Sequence, residues 1–313
     1  MCCLFGMVDY GGQFAYHQKK QILRSLARAS EARGTDASGI AYCAGGTLQV
    51  YKRPLPGHKL KIRVPRQVKA VMGHTRLTTQ GNERKNQNNH PFLGEAGNVA
   101  FALAHNGMIY NDKILRHKFH LPKTEIETDS YIAVQLLEQS QELSFDSLGK
   151  MAEEMEGSFS FTVLDEQENL YFVKGDNPLC IYHYPKTGVY LYASTESVLL
   201  DALSRIPVPL GKPNQVVLDW GDILQIDSKG NQFRGEFDPR NLRIYPYSPC
   251  SVMLDPPAMG WHFPKRTSTQ REYIRILKSV ASFYGYTSEL VDSMLDGGFS
   301  TDEIEEMIYF GRI

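Results

Sequence analysis

The chain has 313 residues, of which 42% are hydrophobic and 22% are charged. This composition predicts a globular protein of one large or two modest domains, and it excludes a chain that is disordered throughout. Lys and Arg number 34 against 35 Asp and Glu, so a net charge of −1 gives no overall field that would draw the chain to nucleic acid or anionic lipid.

The sequence also argues against secretion and membrane insertion. It has no run of 18 apolar residues, so no membrane span is expected. The opening residues, MCCLFGMVDY, lack the charged and apolar parts of a secretory signal. Five cysteines without a CxxC pair argue against a disulfide framework and a cysteine-rich zinc site. We therefore expect a reducing, cytoplasmic compartment.

The first 230 residues predict many short strands and few helices. Strands are expected at 3–8, 38–43, 47–52, 69–73, 99–104, 159–165, 170–174, 180–184, 189–194, 215–219 and 222–227. Helices are expected at 17–32, 128–140 and 145–155. The helices are too few to alternate with every strand, so an α+β fold is favoured over a doubly wound parallel sheet.

The remainder of the chain changes character twice. Residues 238–267 carry six prolines and predict a linker or extended strap, whereas 268–313 show helical periodicity typical of three short helices. These helices resemble a small adaptor of the ubiquitin-associated type around Gly298-Phe299, or else they pack on the main domain. The predicted organisation is therefore a domain at 1–237, a linker at 238–267 and a helical module at 268–313.

The cysteine at position 2 is the most informative single feature. A methionine before a small side chain is normally removed, and Cys2 would then carry both a thiol and a free α-amine able to act as its base. The alternative is that Cys2 and Cys3 are small buried residues opening a strand. In a strand the two point to opposite faces, so at most one addresses a given pocket.

Two later segments can bind opposite charges. Arg76 follows an apolar run and precedes a loop ending in Gly81; its guanidinium suits a carboxylate, or else it is a solvated strand end. Thr128 predicts a helix N-cap with Asp129 in the first turn, where a carboxylate either holds a substrate ammonium or only complements the helix dipole.

Asn106-Gly107 follows a predicted strand and offers two amide groups. Such donors can form an oxyanion hole, although Asn-Gly is also a common turn. A nucleophile, an oxyanion hole and receptors for both charges of an amino acid together fit cleavage of a side-chain amide, and glutamine suits them.

Other polar segments have simpler interpretations. The stretch from Lys52 to Lys69 has seven Lys and Arg and no acid. A phosphorylated acceptor, a protein partner or nucleic acid could bind it, but no aromatic residues follow Tyr51 within it, which favours a solvated basic edge. The run from Asn82 to Asn89 predicts a mobile loop. His74, His90 and His105 match no metal-ligand spacing, and neither a metal nor a cofactor is expected.

In these residues the sequence resembles the class II glutamine amidotransferases, whose glutaminase domains occur in glucosamine-6-phosphate synthase and amidophosphoribosyltransferase. The match runs in the family's order over about residues 1–200 and consists of Met1-Cys2 with Gly6, Arg33–Gly39, Gly73–Arg76, Asn89–Pro91, His105–Gly107, Thr128–Asp129, Glu156–Phe159 and Ala193–Ser194. The resemblance implies a four-layer α-β-β-α sandwich of two antiparallel sheets.

The resemblance also implies roles for the reacting groups. Cys2 would attack the glutamine carboxamide and form a thioester, with its own amine moving the proton. The Asn106 side chain and the Gly107 amide would hold the oxyanion.

The remaining implied residues bind the substrate. Arg76 would hold its carboxylate with support from Thr79, and Asp129 would hold its α-amine. Arg33 would help to shape and close the pocket.

Three positions depart from the family pattern, and the length of the chain leaves little room for an acceptor domain. Cys3 stands where glycine is usual, Leu77 where a large aromatic is common, and Gln80 where one branch has histidine. About 75 residues come after 238, too few for a sugar isomerase or phosphoribosyltransferase. The chain is therefore expected either to supply a separate synthase partner with ammonia from L-glutamine or to act as a hydrolase in its own right.

Two alternatives remain open: a hydrolase of another amide, and a non-catalytic descendant that binds an amino acid or a protein. Neither nucleic acid nor a membrane is expected as a partner, and homo-oligomerisation stays open.

Overall fold

The computed structural model describes residues 2–243, 268–283, 286–296 and 301–310. The chain divides into two compact units, residues 1–244 and 245–313. Met1, whose removal the sequence predicts, lies outside the described residues, as do 244–267 of the predicted linker and the glycine pair at 297–298.

The first sheet has seven antiparallel strands. In spatial order they are β11 (Asn214–Val216), β9 (Cys180–Tyr184), β10 (Val189–Ala193), β1 (Cys3–Asp9), β4 (Ala70–Arg76), β2 (Ala37–Ala44) and β3 (Thr47–Arg53). The chain's first strand therefore lies at the centre of this sheet, between β10 and β4.

The second sheet has six antiparallel strands. In spatial order they are β13 (Gln232–Glu236), β12 (Asp222–Ile226), β8 (Leu170–Lys174), β7 (Gly157–Asp165), β6 (Val99–Ile109) and β5 (Phe92–Ala96). The turn between the strands predicted at 159–165 and 170–174 joins β7 to β8. Neither β5 nor β13 was predicted from the sequence, and both are edge strands.

Helices cover the outer face of each sheet. Helices α1 (Tyr16–Ala29) and α5 (Glu196–Ser204) pack on the first sheet, and α2 (Asp112–Lys118), α3 (Tyr131–Ser140) and α4 (Phe145–Glu153) pack on the second. The predicted helix at 17–32 is α1 followed by a 3-10 turn, Ser30–Ala32. Helices α2 and α5 were not predicted.

Alternating side chains of β1 show how the layers form. Phe5 and Met7 pack with Ile22 and the rest of the α1 side, whereas Leu4 and Val8 pack between the two sheets. This period of two follows from the pleat, which points successive side chains to opposite faces. A third apolar cluster lies between the second sheet and α3–α4. The predicted four-layer α-β-β-α sandwich is confirmed.

Two local predictions were wrong. Thr128 does not cap α3: the helix begins at Tyr131 after Ser130, and the Thr128 hydroxyl is buried without a hydrogen-bond partner among the described residues. The strand predicted at 99–104 is too short: β6 continues to Ile109 and pairs with β7 from Phe101 onward, which excludes the alternative that Asn106-Gly107 is a turn.

The basic stretch divides into a buried and an exposed part. Lys59, Lys61 and Arg63 are exposed, and they alternate with Leu60 and other apolar residues that pack into the α1 side of the core. Lys52, by contrast, is half-buried in β3 and directs its ammonium inward.

The first residues of the predicted linker pack on the domain. Pro239–Arg243 form a 3-10 helix, and Leu242 is buried beside α4. The Asp238 amide also donates to Glu153 Oε1 at 2.9 Å. The packed part of the first unit therefore continues beyond 237, the predicted boundary.

The described part of the second unit contains three short helices, α6 (Ser268–Phe283), α7 (Ser288–Asp296) and α8 (Thr301–Phe310). Its described buried apolar residues are Leu277, Val280, Ala281, Val291, Ile304 and Ile308. The Tyr273 hydroxyl donates to Glu305 Oε2 at 2.9 Å, which ties α6 to α8. Over the described parts of both units, no helix is long and apolar enough to cross a membrane.

Candidate active site

Strand pairing brings Cys2 beside Arg76. Cys3 pairs with Thr75 across β1 and β4, so the residues one step further, Cys2 and Arg76, are neighbours at the same edge of the sheet. The Cys2 thiol donates to the Leu77 carbonyl at 3.5 Å, and Arg33 Nε donates to the Cys2 carbonyl at 3.0 Å. Cys2, Arg33 and Arg76, three of the residues singled out from the sequence, therefore lie together.

The Cys2 thiol lies within electrostatic reach of both predicted charge receptors. Burial raises the pKa of this thiol, the positive charge of Arg76 lowers it and the negative charge of Asp129 raises it. Cys3 is fully buried on the α1 side of the sheet and its thiol contacts the Leu4 carbonyl, so it does not block the Cys2 side.

The Arg76 guanidinium is held by groups within the protein. It is 3% exposed; Nη1 donates to Asn89 Oδ1 at 2.8 Å, and Nη2 donates to the Gln80 carbonyl. Burial lowers the pKa of Arg76, and the neighbouring Cys2 and Asp129 raise it. A buried, oriented guanidinium of this kind is suited to two-point binding of a carboxylate.

Asp129 is a buried carboxylate just before α3. Its Oδ2 accepts from the Ile109 amide at 2.7 Å, and its Oδ1 accepts from the Ser130 hydroxyl at 3.3 Å. Burial raises the pKa of this carboxyl, although the hydrogen bonds and the charge of Arg76 oppose the shift. An ammonium group bound here would stabilise the ionised form.

Asn106 presents an unsatisfied amide at the same end of the sandwich. Its side chain is fully buried, and neither Oδ1 nor Nδ2 has a hydrogen-bond partner among the described residues. An unpaired buried polar group costs about 1–3 kcal/mol, which a ligand atom that pairs with it would recover.

Gly107 is a glycine for steric reasons. Its φ is +142°, which side chains rarely adopt, and a Cβ at this position would lie 1.9 Å from the Ser158 carbonyl oxygen. Glycine thus allows β6 to pass close to β7 directly after Asn106.

Three neutral histidines lie next to these residues, and a hydrogen bond between two of them joins the two sheets. His74 Nε2 donates to the His105 carbonyl at 2.9 Å, and the rings of His74 and His90 lie 4.2 Å apart. Burial lowers the pKa of His74 and of His105 to about 3 and that of His90 well below its ordinary value. The described residues contain no cluster of His, Cys, Asp or Glu suited to a metal ion.

The loop after Arg76 contains Thr79, which is half-buried; its side chain makes no hydrogen bond within the described part of the chain. The start of the loop is fixed, because the Thr78 amide donates to Asp36 Oδ2 at 2.7 Å. Gly34 permits close backbone approach: a Cβ there would lie 2.4 Å from the Arg76 carbonyl carbon.

The sequence predicted a mobile loop at 82–89. In the structure, hydrogen bonds connect this segment to the rest of the domain. It contains a 3-10 turn, Asn86–Asn88, and both Asn88 and Asn89 are fully buried. Asn88 Nδ2 donates to Glu127 Oε2 at 2.9 Å. Asn89 had no predicted role of its own, although it belongs to the matching Asn89–Pro91 segment.

Comparison with known proteins identifies related domains and folds. Residues 74–201 match the family described as a glutamine amidotransferase domain. Glutamine–fructose-6-phosphate aminotransferase (isomerizing) of Bacillus thuringiensis subsp. konkukian is 34% identical over 194 residues, which cover 58% of this chain and 30% of that protein. The Helicobacter pylori protein of the same name is 31% identical over 216 residues, covering 65% and 34%. The chain thus spans about a third of the length of these curated relatives.

Solved structures share the fold. Glutamine phosphoribosylpyrophosphate amidotransferase from B. subtilis superposes with a TM-score of 0.59 at 20% identity, over 76% of this chain and 49% of that one. The allosteric regulatory enzyme of purine biosynthesis gives a TM-score of 0.60 at 19% identity, with the same coverage. Residues 74–201 therefore match a glutamine amidotransferase domain, and the chain shares its fold with a solved amidotransferase structure.

Proposed function

We propose that the chain hydrolyses the side-chain amide of L-glutamine through a Cys2 thioester and supplies the ammonia to a separate acceptor. The observation that carries this proposal is the convergence of the Cys2 thiol, the Arg76 guanidinium and the Asp129 carboxylate at one end of the sandwich. A free amino acid bears the two opposite charges that this pair can bind. A substrate without both charges would not need both receptors.

The chemistry begins with the thiol. Once Met1 is removed, the Cys2 amine takes the thiol proton, directly or through water, and the sulfur attacks the carboxamide carbon. The carbonyl electron pair moves to oxygen, where Asn106 Nδ2 and the Gly107 N–H stabilise the negative charge. As the oxyanion collapses, the C–N bond breaks and the nitrogen leaves as ammonia with the proton from the amine. Water then adds to the thioester, and the C–S bond breaks to give glutamate and the free thiol.

Binding of the substrate's charges positions the amide for this attack. Arg76 holds the α-carboxylate and Asp129 the α-ammonium, with Thr79 and Arg33 completing the pocket. Because these groups are buried, each interaction is made in a medium less polar than water and is correspondingly stronger.

The acceptor of the ammonia is proposed to be another domain or subunit. The curated relatives carry names that join glutamine to a second substrate, fructose 6-phosphate. In this chain the described part of residues 245–313 is three short helices. We assign the glutaminase reaction to the first unit and leave the second unit without a catalytic role.

Glutamate release from glutamine tests the proposal directly. We expect the wild-type protein to release glutamate, Cys2→Ala to release none, and mass spectrometry to show loss of Met1 from the active form. Cys3→Ala is the matched control, because it removes the adjacent thiol and should keep turnover. Turnover of other amides but not of glutamine would favour a hydrolase of a different amide, and amino-acid binding without turnover would favour a non-catalytic descendant.

A further inference from the structure

We propose that Lys52 is a positioning residue for glutamine recognition: through Asn89 it fixes the Arg76 guanidinium, and it adds a second positive charge behind the substrate carboxylate. The inference rests on the proposed function and concerns the same site.

Strand β2 lies between Lys52 and the site, and it has a glycine, Gly39, at the position next to Lys52. Lys52 lies in β3 and pairs with Gly39 of β2, which in turn pairs with His74 of β4. A Cβ at position 39 would lie 2.7 Å from the Lys52 Cβ and 2.2 Å from the His90 carbonyl oxygen. Glycine at 39 therefore lets the Lys52 side chain and the His90 backbone approach each other across β2.

The Lys52 ammonium is directed inward by its contacts. It donates to the Asn89 carbonyl at 2.5 Å and, more weakly, to the Gln87 carbonyl at 3.5 Å. It also lies 4.7 Å from the centre of the Phe92 ring, within range of a cation–π interaction. Most lysines keep the ammonium in water, so this orientation requires a compensating interaction.

Asn89 connects Lys52 to Arg76, because it accepts a hydrogen bond from each of them. The residue is fully buried; its carbonyl accepts from Lys52, and its Oδ1 accepts from Arg76 Nη1 at 2.8 Å. Asn89 Nδ2 donates to the Glu83 carbonyl at 2.8 Å, which anchors the loop. A shift of the Asn89 backbone would therefore move the group that orients the guanidinium.

The described groups around Lys52 do not neutralise its positive charge, so a bound anion can do so. No acidic side chain pairs with Lys52 within the described ranges, and the charged neighbour that acts on it is another cation, Arg76. His74 and His90 also face it, and both are neutral because burial lowers each pKa. A bound carboxylate would stabilise two neighbouring cations of which Arg76 is buried and Lys52 is half-buried.

This arrangement predicts a pH dependence of substrate affinity. Burial and the charge of Arg76 lower the pKa of Lys52 to about 8. Lys52 is then positive below this pH and neutral above it, so the KM for glutamine should rise as the pH passes 8. Lys52→Arg keeps its charge and should remove this rise, whereas Lys52→Met should show a high KM at every pH.

The test measures kcat and KM for glutamine from pH 6.5 to 9 in the wild type, Lys52→Met and Lys52→Arg. At pH 7 we expect Lys52→Met to raise KM about tenfold and to change kcat less than about threefold, because the lost interaction acts on binding. Arg53→Met is the matched control: it removes an adjacent but exposed cation and should leave KM unchanged. Comparing variants at each pH cancels the titration of the substrate itself.

A second substrate separates recognition from a general structural effect. L-glutaminamide lacks the carboxylate charge, so Lys52→Met should raise KM much less for it than for glutamine at pH 7. Equal effects on both substrates, or an unchanged KM in Lys52→Met, would overturn the inference while the proposed function stands. If the wild type shows no turnover, calorimetry of glutamate binding to Cys2→Ala with and without Lys52→Met decides the inference separately: weaker binding in the double variant supports it, and equal binding overturns it.

Discussion

Buried polar groups near the two ends of β1 differ in whether they have a partner. Among the described residues, charged groups are paired near one end, and an amide is unpaired near the other. At the Asp9 end, the carboxylate lies 2.8 Å from Lys19 Nζ and accepts from the Gly12 amide at 2.9 Å. Lys19 also donates to the Val68 carbonyl at 2.8 Å. At the Cys2 end, about 20 Å away along the strand, the Asn106 amide is buried and has no partner among the described residues.

On the proposed function, the difference separates polar groups that stabilise the fold from a polar group that pairs with the substrate. A buried ion pair such as Lys19–Asp9 resists change, because removal of one member leaves the other charge buried and unpaired. A buried polar group without a hydrogen bond lowers the stability of the free protein. It can gain that hydrogen bond when a ligand binds. Substitutions at the Asp9 end should therefore change the free energy of unfolding, and substitutions at the Cys2 end should change the kinetics.

Lys19→Met should give the largest loss of stability. It leaves the Asp9 carboxylate buried without its counter-ion, which typically costs about 3–5 kcal/mol of unfolding free energy. Urea denaturation measures this loss, and kcat of the folded variant should stay near the wild-type value. Lys20→Met, on the more exposed side of α1, is the control; a loss as small as the control's would show that the pair at Asp9 is not a stabilising network.

Asn106→Ala should have the reverse effect. We expect kcat to fall about 10²–10³-fold because an oxyanion donor is removed, while thermal stability stays equal or rises because no internal hydrogen bond is lost. Asn169→Ala is the contrasting control: its Nδ2 donates to Asp165 Oδ2 at 2.8 Å in the β7–β8 turn, so it should lower stability and leave kcat unchanged. A normal kcat in Asn106→Ala would rule out its oxyanion role.

Asp129→Asn should weaken glutamine binding and change the pH dependence of stability. Loss of the charge that holds the ammonium should raise KM about 10–100-fold. Because burial raises the pKa of Asp129 in the folded protein, the folded state binds this proton more tightly than the unfolded state, and stability falls as pH rises from the unfolded pKa through the folded one.

Melting temperatures between pH 3 and pH 7 test this. The variant should be more stable than the wild type at pH 7, and the difference should shrink as the pH falls to about 3, below the unfolded pKa of about 3.9, where the carboxyl is mostly protonated in both states. A difference that grows on acidification would contradict the assignment.

Thr79→Val should have the smallest effect. Its side chain makes no hydrogen bond within the described residues, so we expect the melting temperature of the free protein to be unchanged. If Thr79 supports the bound carboxylate, KM should rise about threefold, the value of one weak hydrogen bond. Steady-state kinetics measure this, and an unchanged KM would remove Thr79 from the pocket.

The sequence predicts the inner strands better than the edges. Strands such as β7 and β10 are apolar and bounded by turns, which is a strong local signal. In β5 and β13 the signal is broken by Gly94, Glu95, Arg234 and Gly235, which an edge strand tolerates because one side of it is unpaired. Thr128 was misassigned because the Asp129 carboxylate accepts from the Ile109 amide across the structure, and α3 begins after it.

The candidate site was predicted from the order of short motifs, because each reacting group lies in or next to a recognisable segment. The groups that hold the site were not predicted. Lys52 and Asn89 are 37 residues apart, and their contact depends on how β3, β2 and β4 pair. Sequence alone gave Lys52 the same interpretation as the exposed cations that follow it, since burial distinguishes them and composition does not.

The central position of β1 has a consequence for synthesis on the ribosome. Its partner β4 ends at Arg76, but its other partner, β10, ends at Ala193, so β1 is enclosed on both sides only after β10 has emerged. Until then β1 lacks one of its two neighbours. On the proposed mechanism, Cys2 therefore gains its final surroundings late, and the removal of Met1 that the mechanism requires can take place while the chain is still growing.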